Sequence, residues 1–207
     1  MNPQFFLMVI PLLLAIVVHE VSHGYIAEKL GDNTARFAGR LTLNPIVHID
    51  LLGTIILPIL LIIAHSPILF GWAKPVPVNF FNLRNPKRDS AYVAAAGPLS
   101  NFIMAIGFAI LYHIFLFIPL GYFSSPLLTT CLYGVELNLI FAFFNLIPIL
   151  PLDGGRILAA FLPNRWAYSF SKIEPYGMYI VIALIFLGAF NTIYYLFVLP
   201  FSKILLF

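Results

Sequence analysis

Fourteen apolar residues, Phe5 to Val18, run directly into His19-Glu20-Val21-Ser22-His23. No other feature limits the fold of this chain as much. On a helix, His19 and His23 lie one turn apart on the same face, so both imidazoles can reach one metal ion. Glu20, beside the first of them, is placed to take a proton from water activated by that metal. This is the His-Glu-x-x-His arrangement of zinc hydrolases. A helix carrying two incidental histidines is the competing reading, and the location argues against it. Charged and metal-binding side chains inside a membrane helix are costly and mark function.

The apolar context is general. Of 207 residues, 61% are hydrophobic and only 9% charged, which is membrane-protein composition. The net charge of +3 is small and spread over several loops, so the chain has no nucleic-acid footprint. Cys131 is the only cysteine, which excludes an internal disulfide and a cysteine zinc cluster. No Lys or Arg precedes the first apolar run and no small-residue cleavage site follows it, so a removable signal peptide is not expected. Without a soluble region, long linker or repeat, residues 1–207 read as a single membrane-embedded domain.

The first helix is expected from about Phe5 to Leu30, ending at Gly31. At the α-helical rise, the residues before His19 cover about 21 Å. In a hydrocarbon core of about 30 Å, this leaves His19 inside the bilayer, about 9 Å short of the far face. Thr34 to Asn44 alternates in polarity and reads as a short surface strand. In the following turn, His48 is a candidate to support a metal ligand from behind or to gate the site, or simply an interfacial loop histidine. Leu51 to Phe70 is apolar but interrupted by Pro58, His65 and Pro67. Lys74-Pro75-Val76-Pro77-Val78 suits an edge strand, with Lys74, Val76 and Val78 as a possible clamp for an unfolded substrate segment by strand addition. A plain surface loop is the alternative.

Arg84, Lys87, Arg88 and Asp89 are expected to form an exposed basic cluster before a span from Ser90 to Ile118. That span opens on small residues, with Gly97 and Ser100 suited to close helix packing. Asn101, polar at membrane depth, is placed to hydrogen-bond a neighbouring helix or the site. His113 reads as interfacial. A span from Leu127 to Leu150 carries Glu136 and Asn138, which should face the bundle interior. It ends in Asn145…Pro148…Pro151-Leu152-Asp153-Gly154-Gly155, where prolines break the helix and paired glycines permit a tight reversal. An acid on such a break makes a good third metal ligand; a helix-capping aspartate is the alternative. Tyr176 to Leu199 reads as the last span.

Lys and Arg number three in residues 29–50, four in 71–90, none in 119–127 and three in 151–175. The positive-inside rule then places the first, second and fourth of these loops in the cytoplasm. Residues 51–70 must therefore enter and leave by one face. Metal binding requires the same: were 51–70 to cross, Asp153 would emerge on the wrong side to reach His19 and His23. The expected architecture is all-α and polytopic, with four full spans, a re-entrant segment at 51–70 and short cytoplasmic-side β strands.

With both motifs identified, the chain resembles the site-2 protease family of intramembrane zinc metalloproteases. The match lies in His19-Glu20-Val21-Ser22-His23-Gly24 and in the Asn145…Pro148…Asp153-Gly154-Gly155 segment, with Ala96-Gly97-Pro98 as a weaker third. It covers residues 5 to 162 or so. The similarity is to compact prokaryotic-type members without PDZ-like or CBS-like domains. It implies one Zn2+ per chain on His19, His23 and Asp153, Glu20 as general base, and Asn145 holding substrate or the developing oxyanion. It further implies cleavage of transmembrane segments of membrane proteins, in the cell membrane, at a site opening toward the cytoplasm. Oligomeric state and substrate identity are not legible. Two other readings compete: a transporter or metal sensor with a non-hydrolytic zinc site, and an enzyme cutting surface peptides. Glu20 argues against the first, and the depth of His19 against the second.

Overall fold

The computed structural model describes residues 4–64, 71–118 and 121–207. Within them every regular element is helical. Helix α1, Gln4–Lys29, ends where Gly31 takes φ +117° and Asp32 N–H returns to Ala27 O at 2.9 Å. Helix α4, Pro86–Phe117, and helix α5, Ser124–Asn145, pack against each other and against α1. These three form the centre of the molecule. Between α4, α5 and the C-terminal residues lies an apolar core built on Ala105, Phe108, Ala109, Val135, Leu139 and Val198.

The strand expected from Thr34 to Asn44 is not present. Thr34–Phe37 forms a single turn, α2, started by Asp32, whose carboxylate accepts from Thr34 N–H at 3.2 Å. Gly39 then takes φ +65°, and Gly39 and Arg40 N–H return to Arg36 O and Ala35 O, both at 2.9 Å. A local bond from Thr34 N–H to the Asp32 side chain and a left-handed glycine override the alternating pattern. Nor do residues 71–79 form a strand. They carry no regular structure and are held by separate contacts to Glu20, Asp32, Arg40, His48 and Gly53.

Leu51–Ile56 forms a wide, π-type turn that continues into α3, Leu57–Ile63. Asp50 starts it by accepting from Gly53 N–H at 2.7 Å. The thirteen residues of 51–63 extend about 20 Å, short of the roughly 30 Å a crossing requires. The chain comes back to its point of departure: Trp72 N–H donates to Gly53 O at 3.2 Å, and Thr54 Oγ1 to Trp72 O at 2.8 Å. His65, Pro67 and the expected end of the segment at Phe70 lie outside the described residues.

After α5, residues 146–152 form a tight loop leading into α6, Asp153–Phe161. Helices α7, Asn164–Ser171, and α8, Glu174–Phe186, follow, bent by 65° relative to each other. The last span is displaced from its expected position at Tyr176–Leu199. Gly188, at φ +84°, ends α8 in the left-handed conformation. A new helical run then covers Ala189–Leu206, made of α9, Ala189–Ile193, a π-type turn, and α10, Leu199–Leu206. Four described helices are thus long and apolar enough to cross a membrane: Phe6–Lys29, Pro86–Phe117, Gly121–Asn145 and Ala189–Leu206. The bent α7–α8 pair is a fifth candidate. Large apolar side chains such as Ile10, Leu99, Ile103, Ile110 and Leu196 stand exposed along these helices. An apolar surface of that extent fits lipid, and the protein is a multi-pass membrane protein.

The basic loops gather at one end. Lys87 Nζ donates to Leu162 O at 2.6 Å, Arg40 to Lys74 O at 2.8 Å, and the Arg156 guanidinium sits 4.9 Å over the Phe80 ring. At the opposite end, His113 Nε2 hydrogen-bonds Leu205 O at 2.9 Å.

Candidate active site

The broken segment after α5 brings Asp153 to α1. Its geometry depends on glycine. A Cβ at Gly154 would overlap the Leu146 carbonyl, and one at Gly155 would overlap the Leu150 amide nitrogen. Only bare backbone lets α6 start against the preceding loop, and its first residue then faces α1. His19 Nε2 lies 3.2 Å from Asp153 Oδ2, His23 Nε2 lies 3.4 Å from Asp153 Oδ1, and the two Nε2 atoms are 3.1 Å apart. Two segments 130 residues apart in sequence meet at one point. His19 is buried, and ten residues of helix, about 15 Å, separate it from Lys29 at the basic end.

Both imidazoles are fixed from behind. His23 Nδ1–H donates to Val93 O at 2.7 Å, and His19 Nδ1–H to Asn101 Oδ1 at 2.7 Å. With the Nδ1 protons committed, each neutral ring turns an Nε2 lone pair toward the other and toward the Asp153 carboxylate. Asp153 Oδ2 is buried with no hydrogen-bond donor. Three lone-pair groups this close repel unless a cation lies among them, and two imidazoles with one carboxylate are the donor set that zinc takes. The residues fit the metal. Gly97 on α4 makes room for them: a Cβ there would stand 2.5 Å from His19 Cε1 and from His23 Nε2.

Glu20 Oε2 accepts from Val76 N–H at 2.8 Å, which places the 71–79 segment beside the carboxylate. That segment is tied down by Lys74 N–H on His48 O at 2.9 Å and by Arg40 on the carbonyls of Lys74 and Pro75. The N–H groups of Lys74 and Val76 are therefore occupied by the chain itself, and Pro75 and Pro77 have none. This is poor material for a strand-pairing clamp, and Val78 packs into a small apolar cluster with Ile26 and Leu30 instead.

The other expected residues divide. Asn101 reaches His19 directly. His48 is buried but hydrogen-bonds Thr42 O at 3.0 Å, so it holds the loop rather than a ligand. Asn145 Nδ2 turns back to Phe141 O at 3.0 Å, one turn earlier in α5. Glu136 faces a neighbouring helix, accepting from Tyr194 Oη at 3.2 Å. Two participants escaped sequence reasoning: the Val93 carbonyl, which backbone chemistry hides, and Asn138, legible only as a polar residue at membrane depth.

Comparison with known proteins agrees with this chemistry. The sequence pattern of "Peptidase family M50" matches residues 122–188, the stretch containing Asp153. A Bacillus subtilis protein, "Putative zinc metalloprotease YwhC", is 40% identical over 180 residues, covering 86% of this chain and 78% of its own length. "Zinc metalloprotease MJ0392" of Methanocaldococcus jannaschii is 31% identical over 170 residues, 81% of this chain but only 38% of that protein. "Putative zinc metalloprotease Rip2" of Mycolicibacterium smegmatis is 26% identical over 194 residues, 90% of this chain and 69% of its own. No solved structure matches the chain. A likeness as deep as that to the Bacillus protein, over most of both chains, settles the affiliation: this chain belongs to peptidase family M50, the site-2 protease family of membrane zinc metalloproteases.

Proposed function

We propose that the protein hydrolyses peptide bonds in or near transmembrane segments of membrane-protein substrates, as a regulated intramembrane protease of the cell membrane. The observation that carries this reading is the convergence of His19, His23 and Asp153 on one buried point within the length of an apolar helix. His19, His23 and Asp153 hold one zinc ion, and Glu20 is the general base. Zinc bound there supplies Lewis acidity to a water molecule and to the scissile carbonyl. Glu20 takes the proton as that water attacks and gives it to the departing amine. The Val76 N–H on Oε2 holds the carboxylate in position and leaves Oε1 for the proton.

A helical substrate must unwind first, because a helix keeps its carbonyls paired and its peptide bonds shielded. The segment at 71–79, lying against Glu20, is where an unwound stretch meets the base. Water reaches the site from the end where the basic loops gather, which the positive-inside rule makes the cytoplasmic end. The segment that leaves at Leu51 then returns on that same side, which is supported by the bonds joining Gly53 and Thr54 to Trp72.

Glu20→Gln tests the base. The variant keeps the size and hydrogen-bond acceptor of the side chain but cannot take the proton. It is expected to retain zinc while cleavage of a membrane-embedded peptide in proteoliposomes falls by at least about a hundredfold. Cleavage at the wild-type rate would mean the base is another group.

A further inference from the structure

The imidazole of His19 is the end of a chain of buried hydrogen bonds that runs across three helices. His19 Nδ1–H donates to Asn101 Oδ1 at 2.7 Å; Asn101 Nδ2 donates to Asn138 Oδ1 at 2.9 Å and to Ala15 O at 3.0 Å; Asn138 Nδ2 donates to Gly134 O at 2.8 Å. Both asparagines are 0% exposed. Which way each amide faces follows from its backbone partners. Gly134 O can only accept, so Asn138 must turn its nitrogen there and its oxygen toward Asn101. Asn101 must answer with an N–H, and Ala15 O demands the same. Its oxygen is then left for His19, whose Nδ1 must carry the proton.

We propose that Asn138 is a positioning residue for the metal centre, acting through Asn101 to hold His19 in the tautomer and rotation that present Nε2 to zinc. This inference rests on the reading of His19 as a zinc ligand. Asn138 lies on α5 and touches neither the ligand set nor Glu20. Each N–H in the chain polarises the next acceptor, so the oxygen facing His19 is a stronger acceptor than an isolated amide, and the ring a better donor to the metal. The ordinary alternative is a polar tie that merely holds α4 to α5. A tie of that kind, which also runs through Asn101, would cost stability when it is cut but leave zinc affinity unchanged.

The test is zinc affinity, measured by competition with a chromogenic chelator on the purified full chain in lipid nanodiscs. Four proteins are compared: wild type, Asn138→Ala, Asn101→Ala and the double variant. Asn138→Ala is expected to weaken zinc by about 10- to 100-fold. In the Asn101→Ala background the same change is expected to have no further effect, because the path to His19 is already cut. Unchanged affinity in Asn138→Ala, or equal weakening in both backgrounds, overturns the proposal. Should the alanine chain fail to fold, Asn138→Thr and Asn138→Val replace it. They share one shape, and only threonine keeps an acceptor for Asn101. Threonine is then expected to hold zinc at least tenfold more tightly than valine, and equal affinities overturn the proposal. Absence of zinc from the wild type would defeat the ligand reading itself, and this inference with it. Zinc bound equally by wild type and Asn138→Ala would defeat this inference alone.

Discussion

At the scale of single residues, most of the proposed chemistry is local in sequence. His19, Glu20 and His23 declare themselves by spacing on one helix, and Asp153 by its place on a proline- and glycine-marked break. The support behind them comes from other helices: Asn101 on α4 stood out as a polar residue at membrane depth, while Val93 O on α4 and the link from Asn101 to Asn138 on α5 had no mark in the spacing. His48 shows the converse. In sequence it reads either as a gating residue or as a plain loop histidine, and in the fold its bond to Thr42 O ties it to the loop that carries it.

Asp32, just beyond α1, was unmarked in sequence and proves to organise the loops of the basic end. Burial opposes its charge, but hydrogen bonds from the Thr34 hydroxyl, Asn82 and the N–H groups of Asn79 and Thr34 outweigh that and hold its pKa below the ordinary 3.8. An unfolded chain therefore takes up the proton first as pH falls. The stabilisation is fully present above 3.8 and is lost as pH drops through the lower, folded value. Melting curves of wild type and Asp32→Asn test this. Their separation is expected to be constant above that pH and to close below it; a separation independent of pH would rule the account out.

At the scale of elements, helices with strong apolar runs were legible to within a few residues. Short connecting elements were not. The alternation of Thr34 to Asn44 suggested a strand, but the Asp32 carboxylate on Thr34 N–H and a left-handed Gly39 decided the backbone. The last apolar run likewise concealed a break, since nothing in its hydropathy distinguishes Gly188 from a helical glycine. Two glycines near the C-terminal region separate local strain from displacement of the site. Gly188, at φ +84°, has open space where a Cβ would go, so Gly188→Ala carries only backbone strain of about 1–2 kcal/mol. A Cβ at Gly177 would overlap the Leu150 carbonyl, in the loop that positions Asp153. Gly188→Ala is expected to lower the melting temperature while sparing zinc content, and Gly177→Ala to lower both. Equal zinc in the two variants would disconnect that loop from the metal centre.

At the scale of the whole molecule, charge and metal geometry lead to the same topology. Ten of the eleven Lys and Arg residues lie in three stretches, 29–50, 71–90 and 151–175, and contacts among those stretches place them together. Cysteine labelling in intact membranes addresses the sidedness. Cys131 is buried, and in a Cys131→Ser background single cysteines are introduced at Phe37, Tyr168 and Tyr122, all exposed. Those at 37 and 168 are expected to react only with reagent supplied from the cytoplasmic side, and that at 122 only from the other. Reaction of 37 and 168 from opposite sides would break the proposed topology and separate Asp153 from the histidines.

The most direct measurement is zinc content by elemental analysis of the purified protein, wild type beside Asp153→Ala. One zinc per chain in the wild type, lost or sharply reduced in the variant, is the predicted result, since it unites α1 and α6 in one site. Equal zinc in both proteins would contradict the account, because a site formed without Asp153 is not the one described.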